Sequence, residues 1–203
     1  IRLAAEAGVD TLEHCSWIGS DPKTTVTDKD AVESMARNGV HVDHAIMPWP
    51  FLFPEERGAA PPGEERWWLN MLQVRWPFLH YMRERGVPVF LGTDAMFGPW
   101  PGTEEWPGFQ ELARAVEVMI RWAKFSPMEA LQMVTSGAAR AIRLDQDIGT
   151  IQPGKRADLI LLANDPLAAP QALRQVETVL RDGRLVARRG QIVLPGAPGV
   201  TES

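Results

Sequence analysis

The sequence predicts an α/β fold with a parallel sheet, and three repeated units carry this prediction. Apolar segments at residues 9–14, 40–46 and 87–91 are predicted strands, and each is followed by a helical or loop-then-helix pattern. The segment 87–91 is apolar almost throughout, as expected for a parallel strand that is buried on both faces. Strands that alternate with helices in this way indicate parallel β/α units.

Towards the C-terminus the pattern changes to short strands separated by turns. The predicted strands cover residues 157–163, 176–181, 185–188 and 191–194. Asp182 and Gly183 form the dipeptide that is typical of a two-residue hairpin turn. We therefore expect two regions, an α/β region at residues 1–146 and a small β region at residues 147–203.

Residues that favour helix ends place the first two helices. Gly8 and Gly39 each stand where a residue in the left-handed conformation would end a helix, and Asn38 precedes the second of them. Thr27 and Asp30 resemble a capping box, so the second helix is expected to begin there.

Prolines shape the predictions for the later helices. A helical pattern over residues 67–85 contains Pro77, which predicts a kink or a break near Trp76. A further helix is predicted from Pro127, at the first-turn position after Ser126, to about residue 142. Two long segments rich in Pro, Gly and aromatic residues are predicted to be structured loops over a site. They cover residues 48–65 and 95–108.

Composition limits the possible function classes. The chain has 203 residues, 45% of them hydrophobic, which is enough for a packed core. Its net charge is −5 and its basic residues are scattered, so we expect no nucleic-acid partner. A single cysteine fits a reducing compartment, and we expect a cytoplasmic protein. Since no apolar run reaches the roughly 20 residues that span a bilayer, no membrane association is expected.

His14 and Asp94 are the candidate functional residues, because each closes an apolar predicted strand. In a barrel of parallel strands, both side chains would lie at the carboxyl-end mouth, where active sites are built. Imidazole and carboxylate groups suit zinc and similar divalent ions. Each residue also has an ordinary interpretation, namely a hydrogen-bonded structural histidine and an aspartate that caps a turn or a helix.

Four segments resemble the amidohydrolase superfamily, in particular its imidazolonepropionase-like and prolidase-like members. Residues 11–14, Thr-Leu-Glu-His, resemble its sixth barrel strand, and residues 92–95, Gly-Thr-Asp-Ala, resemble its eighth. Residues 133–141 stand where these proteins carry a helix rich in small residues. Residues 148–159 are close to the family's return into its β-sandwich. Residues 164–167 and 179–183 extend the match, so the resemblance covers nearly the whole chain, with order and spacing preserved.

The resemblance implies a partial (β/α)8 TIM-like barrel, made of its last strands and helices, followed by a small β-sandwich portion. It implies a divalent metal, zinc in the first place, with one or two ions in the full-length protein. His14 and Asp94 would bind metal, and Asp94 would also handle the reaction's proton. The implied reaction is hydrolysis of an amide C–N bond in a cyclic or non-standard peptide substrate. The implied partner is this small-molecule substrate, and a homo-oligomer is compatible with the family.

Some residues that the resemblance implies have no counterpart in this sequence. The family's His-x-His pair, its fourth-strand lysine and its fifth-strand histidine would belong to a stretch before Ile1. We therefore expect a C-terminal half of an enzyme that is inactive by itself. The family builds its sandwich from both chain ends, so we expect exposed apolar faces at Leu159, Leu161 and Val179.

Two other functions are considered. The chain is alternatively a catalytically inactive fragment or a metal-free binding module of the same fold. A phosphate-binding barrel enzyme is disfavoured, because no glycine-rich loop opens a helix after the last predicted strand. Metal content separates the hydrolase from the binding module.

The remaining candidate residues are given smaller roles. His44 lies at the mouth end of the middle strand and is predicted to contact substrate. His41 and His80 are expected to be structural or solvated. Cys15 is expected to be an unreactive buried thiol.

Overall fold

The structure is a computed structural model that describes residues 1–19, 25–45, 74–94 and 111–193. Its helices are α1 (Arg2–Ala7), α2 (Lys29–Asn38), α3 (Trp76–Glu84), α4 (Leu112–Arg121), α5 (Pro127–Gln132) and α6 (Ala138–Ala141). Its strands are β1 (Thr11–Glu13), β2 (His41–Asp43), β3 (Val89–Phe90), β4 (Leu159–Leu162), β5 (Val176–Arg181), β6 (Arg184–Arg188) and β7 (Gln191–Ile192). The predicted loops 48–65 and 95–108, and the start of the predicted helix 67–85, lie outside the described residues.

Strands β1, β2 and β3 form a parallel sheet in that order. Thr11 pairs with His41, and Val42 pairs with both Leu12 and Val89. The parallel α/β prediction is confirmed, although each strand is shorter than its predicted segment. Parallel pairing brings the carboxyl ends of all three strands to one edge of the sheet, and this edge carries the candidate site.

The core lies between this sheet and the helices that follow its strands. Apolar faces of α2, α3 and α4 supply its fully buried large side chains. They are Trp76, Met35, Leu79, Met82, Met119 and Val32, with Val40 just before β2. At about 25 cal/mol per Å² of apolar surface removed from water, such side chains hold the helices on the sheet.

For the first two helices, the predicted C-terminal ends are confirmed, whereas the predicted start of α2 is not. Gly8 and Gly39 adopt left-handed conformations, with φ of 70° and 68°, and cap α1 and α2 as predicted. The predicted start at Thr27 and Asp30 is wrong. Asp28 caps α2 instead, and its Oδ1 accepts a hydrogen bond of 3.0 Å from the Ala31 amide. Asp28 is held there by the Arg2 guanidinium, which reaches it from α1.

The helix predicted from Pro127 begins as expected but is not continuous. Ser126 and Glu129 form a capping box at its start. A π-helical turn, Met133–Gly137, separates α5 from α6. This turn packs closely, since a Cβ at Gly137 would lie 2.9 Å from the Gln132 carbonyl oxygen. Wider turns of this kind are rare and are not visible in the periodicity of a sequence.

Strands β4 to β7 form an antiparallel sheet in chain order. The predicted turn at Asp182 and Gly183 is confirmed, and both residues have positive φ, at 51° and 75°. The side chain of Asp158 accepts a hydrogen bond of 2.9 Å from the Asp182 amide, and the Gly183 amide donates to the Ala157 carbonyl. These bonds tie the segment before β4 to the hairpin.

Apolar side chains occur on both faces of this antiparallel sheet. The register aligns Ile160, Val179, Ala187 and Ile192 on one face. Ile192 is 78% exposed and Ile160 is 51% exposed. Three residues of this sheet were predicted to be exposed. Leu161 is exposed, whereas Leu159 and Val179 are half-buried. The described part of the sheet therefore leaves apolar surface open to solvent.

The β region contacts the α/β region through helix α4. Arg174, in a 3-10 turn at Pro170–Arg174, forms an ion pair of 2.8 Å with Glu117. The predicted boundary between residues 1–146 and 147–203 stays a prediction. In the described parts of the chain, no helix is long and apolar enough to cross a membrane.

Gly149 offers a test of the packing around the π-helical turn. It has a φ of 89°, and a Cβ there would lie 2.6 Å from the Cβ of Ala139. Gly154 has nearly the same φ, 88°, but an added Cβ would have nothing within 4 Å. We expect Gly149→Ala to destabilise the protein by about 1–3 kcal/mol more than Gly154→Ala, because overpacking adds to the shared backbone strain.

The measurement is the free energy of unfolding in denaturant for both variants. Equal losses would show that backbone strain alone is responsible. Ala139→Gly combined with Gly149→Ala removes the overlapping atom and is expected to recover part of the difference.

Candidate active site

His14 and Asp94 lie together at the carboxyl edge of the parallel sheet. His14 directly follows β1, and Asp94 follows β3 by four residues. His14 Nε2 is 4.0 Å from Asp94 Oδ2, and the two side chains are 50% and 48% exposed. The pair therefore forms an accessible imidazole–carboxylate site, although its members are 80 positions apart in the sequence.

Both residues have a backbone conformation that non-glycine residues rarely adopt. The φ of His14 is 65° and that of Asp94 is 50°. The Cys15 amide donates a 2.7 Å hydrogen bond to the Glu13 carbonyl, so His14 is the central residue of a γ-turn. A γ-turn with positive φ is the rare and strained form. Such conformations persist where the surroundings hold them, and they cluster at functional sites.

Asp43, at the end of β2, lies between the two strand ends and was not identified as a site residue from the sequence. Its side chain is buried, and its Oδ1 accepts a hydrogen bond of 2.7 Å from the Gly92 amide. Burial, and next a hydrogen bond with Glu13, raise the pKa of Asp43 to about 7. The signal that could have revealed it is a carboxylate inside an otherwise buried apolar strand.

His44 lies behind the pair and is almost completely buried. Its Nε2 accepts a 3.1 Å hydrogen bond from the indole N–H of Trp76, at the start of α3. Burial, and then the nearby Arg75 and His14, lower the pKa of His44 to about 3. The substrate contact predicted for His44 stays a prediction, and the role that its contacts support is structural.

Arg75 is a second site residue that the sequence did not reveal. It is buried, and its Nη2 donates a hydrogen bond of 2.7 Å to the carbonyl oxygen of His14. Burial lowers its pKa from the usual arginine range, and Cys15 opposes that shift. Arg75 directly precedes α3, and no sequence pattern indicates that a residue there contacts the end of β1.

The other candidate residues are in structural positions. Burial raises the pKa of the Cys15 thiol to about 11, which keeps it protonated and unreactive. His80 Nε2 is 2.8 Å from the Ala123 carbonyl and its ring stacks on Phe125. Burial lowers the pKa of His41, which lies at the opposite end of β2 from His44.

The donor set fits a divalent metal in part. Donors that share a tetrahedral ion at bonds of about 2.0–2.2 Å lie roughly 3.4 Å apart, so a separation of 4.0 Å needs only a small side-chain rotation. Within the described residues, no group of three or more His, Cys, Asp or Glu side chains could hold a metal ion. The described residues therefore offer two donors of suitable chemistry at this edge, His14 and Asp94.

A separate polar cavity of about 260 Å³ lies beside α6 and the segment that follows it, away from this pair. Arg140, Asp145 and Lys155 contribute to its lining. The ammonium group of Lys155 donates to the carbonyl oxygens of Asp145 and Ile148. Lys155 therefore stabilises its own loop, and neither His14 nor Asp94 lines the cavity.

Comparison with known proteins identifies the family. The sequence profile described as "Amidohydrolase family" matches residues 2–187. The chain belongs to the amidohydrolase family. The resemblance of residues 11–14, 92–95 and 148–159 to amidohydrolases is thus confirmed at the level of the family.

Curated amidohydrolase relatives include imidazolonepropionases. The protein of that name from Shouchella clausii is 37% identical over 115 residues, which cover 55% of this chain and 24% of that protein. The one from Alkaliphilus metalliredigens is 27% identical over 196 residues, covering 95% of this chain and 38% of that protein. The chain thus spans less than half the length of these relatives.

The structure is also similar to solved amidohydrolase structures. A Xaa-Pro dipeptidase with methionine bound in its active site matches with a TM-score of 0.62 at 24% identity. The match covers 90% of this chain and 41% of the dipeptidase. At this identity the similarity shows the fold alone, and the fold is that of a part of the dipeptidase.

The burial of His44 predicts a pH dependence of stability. Its pKa is about 3 in the folded chain and about 6.5 when unfolded. Between these values the unfolded chain binds more protons, so this contribution to stability is complete above pH 6.5 and is lost as the pH falls. The slope is about 1.4 kcal/mol per pH unit.

His44→Gln retains a hydrogen-bond acceptor for Trp76 but has no titratable proton. We expect its free energy of unfolding to fall less steeply than that of the wild type between pH 6 and pH 4. Asp43 contributes with the opposite sign in both proteins, so the difference between the two profiles isolates His44. Parallel profiles would show that His44 already titrates normally in the folded chain.

Proposed function

We propose that this chain is part of a metal-dependent hydrolase that cleaves a carbon–nitrogen bond in a small-molecule substrate. The substrate class is a cyclic amide or a non-standard peptide. His14 and Asp94 would hold a divalent ion, with zinc as the favoured metal. Membership of the amidohydrolase family supports this proposal, and so do relatives named imidazolonepropionase.

The observation that carries the proposal is the convergence of His14 and Asp94. Their donor atoms are 4.0 Å apart, they are half-exposed, and they come from the carboxyl ends of two parallel strands. The last strands and helices of a (β/α)8 barrel would present residues in this way.

The chemistry divides between the two side chains. A divalent ion, when bound, lowers the pKa of water and polarises a carbonyl group. Asp94 accepts the proton of the attacking water, whose oxygen forms the new bond to carbon. Asp94 then returns this proton to the nitrogen as the carbon–nitrogen bond breaks. His14 is assigned to metal binding alone.

A catalytic zinc site usually has at least three protein ligands, and the described residues supply two. We propose that the active protein is a longer chain that supplies the further ligands. This agrees with the finding that this chain spans less than half the length of its relatives. The second candidate is a catalytically inactive fragment or a metal-free binding module. It is favoured by the same observation, and metal content decides between them.

Zinc binding to the chain tests the ligand assignment. We expect weak binding of one ion by the wild type and none by His14→Ala, because removal of one of two ligands leaves a single carboxylate. Asp10→Asn is the matched control, since Asp10 is an exposed carboxylate that pairs with Arg143 at another place. The measurement is zinc content after equilibrium dialysis.

Wild-type chain that retains no zinc at millimolar concentration would favour the metal-free binding module. Zinc retained equally by His14→Ala and wild type would place the metal elsewhere in the chain.

A hydrolytically active protein that contains this chain tests the role of Asp94. Asp94→Asn removes the proton acceptor but keeps the shape of the side chain. We expect turnover to fall by on the order of 100- to 10,000-fold, with a much smaller change in substrate binding. The measurements are kcat, KM and metal content of the same preparation. Near-normal turnover at full metal content would show that another residue moves the proton.

A further inference from the structure

We propose that Arg75 and Asp43 are positioning residues for the His14–Asp94 pair, each fixing the backbone of one strand end. The part of this inference that concerns metal affinity rests on the proposed function. Both side chains are buried, and both come from segments other than those they hold. Neither is assigned a role in transferring the proton or in contacting the substrate.

Arg75 acts on the β1 side. Its guanidinium Nη2 lies 2.7 Å from the carbonyl oxygen of His14, the central residue of the γ-turn. A carbonyl in this strained turn is not used by the sheet, so the bond from Arg75 satisfies it and opposes relaxation of the turn. Guanidinium is suited to this task because its donors lie in a rigid plane.

Asp43 acts on the β3 side. Its Oδ1 accepts the Gly92 amide proton at 2.7 Å, two residues before Asp94. A Cβ at Gly92 would lie 2.7 Å from Asp43 Oδ2, so the carboxyl group fits against glycine backbone with no space to spare. The bond fixes the start of the segment Gly92-Thr93-Asp94, at the end of which Asp94 has a φ of 50°.

The two contacts have a common consequence. Each holds a non-glycine residue in the left-handed region, and together they set the 4.0 Å separation of the imidazole and the carboxylate. A pair that is already in place before a ligand arrives loses less conformational freedom on binding. Partners that orient metal ligands typically change metal affinity by 10- to 100-fold when removed.

The experiment uses two variants at each position of the full chain. Arg75→Met and Asp43→Ala remove the hydrogen bonds, whereas Arg75→Lys retains a donor and Asp43→Asn retains the acceptor oxygen. Zinc is titrated while the side-chain NMR signals of His14 are followed. We expect the dissociation constant to rise on the order of 10- to 100-fold in Arg75→Met and Asp43→Ala, and much less in the two conservative variants.

A control separates positioning from general stability. Asn38→Ala removes a similar contact away from the site, the 2.8 Å bond from Asn38 Nδ2 to the Ala5 carbonyl. It is expected to lower the melting temperature and leave the zinc dissociation constant unchanged. Weaker zinc binding by Asn38→Ala, in proportion to its lost stability, would overturn the positioning role.

Crystal structures of Arg75→Met and Asp43→Ala give a readout that does not depend on metal. Loss of the positive φ at His14 or at Asp94 supports the inference, and an unchanged pair overturns it. If His14 of the wild type does not respond to zinc, the proposed function fails. The same two structures then decide the positioning role by themselves.

Discussion

Parallel pairing of β1, β2 and β3 is the constraint on which the candidate site depends. Each strand contributes only two or three paired residues, yet the shared direction brings three carboxyl ends to one edge. His14, Asp43 and Asp94 meet there because they follow or end these strands. A shift of one residue in the register of any strand would turn its side chains to the other face. The chemistry of this edge is therefore a property of the sheet.

Behind the accessible pair lies a layer of buried polar groups. Burial of an arginine, a carboxyl group and a histidine is costly unless each one is hydrogen-bonded. Arg75 bonds to the His14 carbonyl, Asp43 to the Gly92 amide, and His44 to Trp76. Each of these bonds joins segments that are distant in sequence. The layer thus stabilises the strand ends in one arrangement, and its cost is offset by the bonds that define the site.

The antiparallel sheet has a different relation to the rest of the protein. Its hairpin is specified locally, by the positive φ of Asp182 and Gly183, and it joins the α/β region through Arg174 and Glu117. Ile192 and other apolar side chains of its faces remain exposed. The matched part of this chain covers less than half the length of the imidazolonepropionase relatives. Apolar faces of this kind are suited to packing against further structure, since sheets are stable when one face is covered.

The sequence by itself determined the parallel α/β layout and the hairpin, and it singled out His14 and Asp94 as candidates. Apolar segments, glycine caps and an Asp-Gly turn act through local geometry, so they can be recognised without the fold. His14 and Asp94 were recognisable because polar residues at the ends of apolar strands stand out. The roles of Arg75 and Asp43 were decided only by the tertiary structure. Their partners are 61 and 49 residues away, and contacts over such separations follow from packing, which no local pattern encodes.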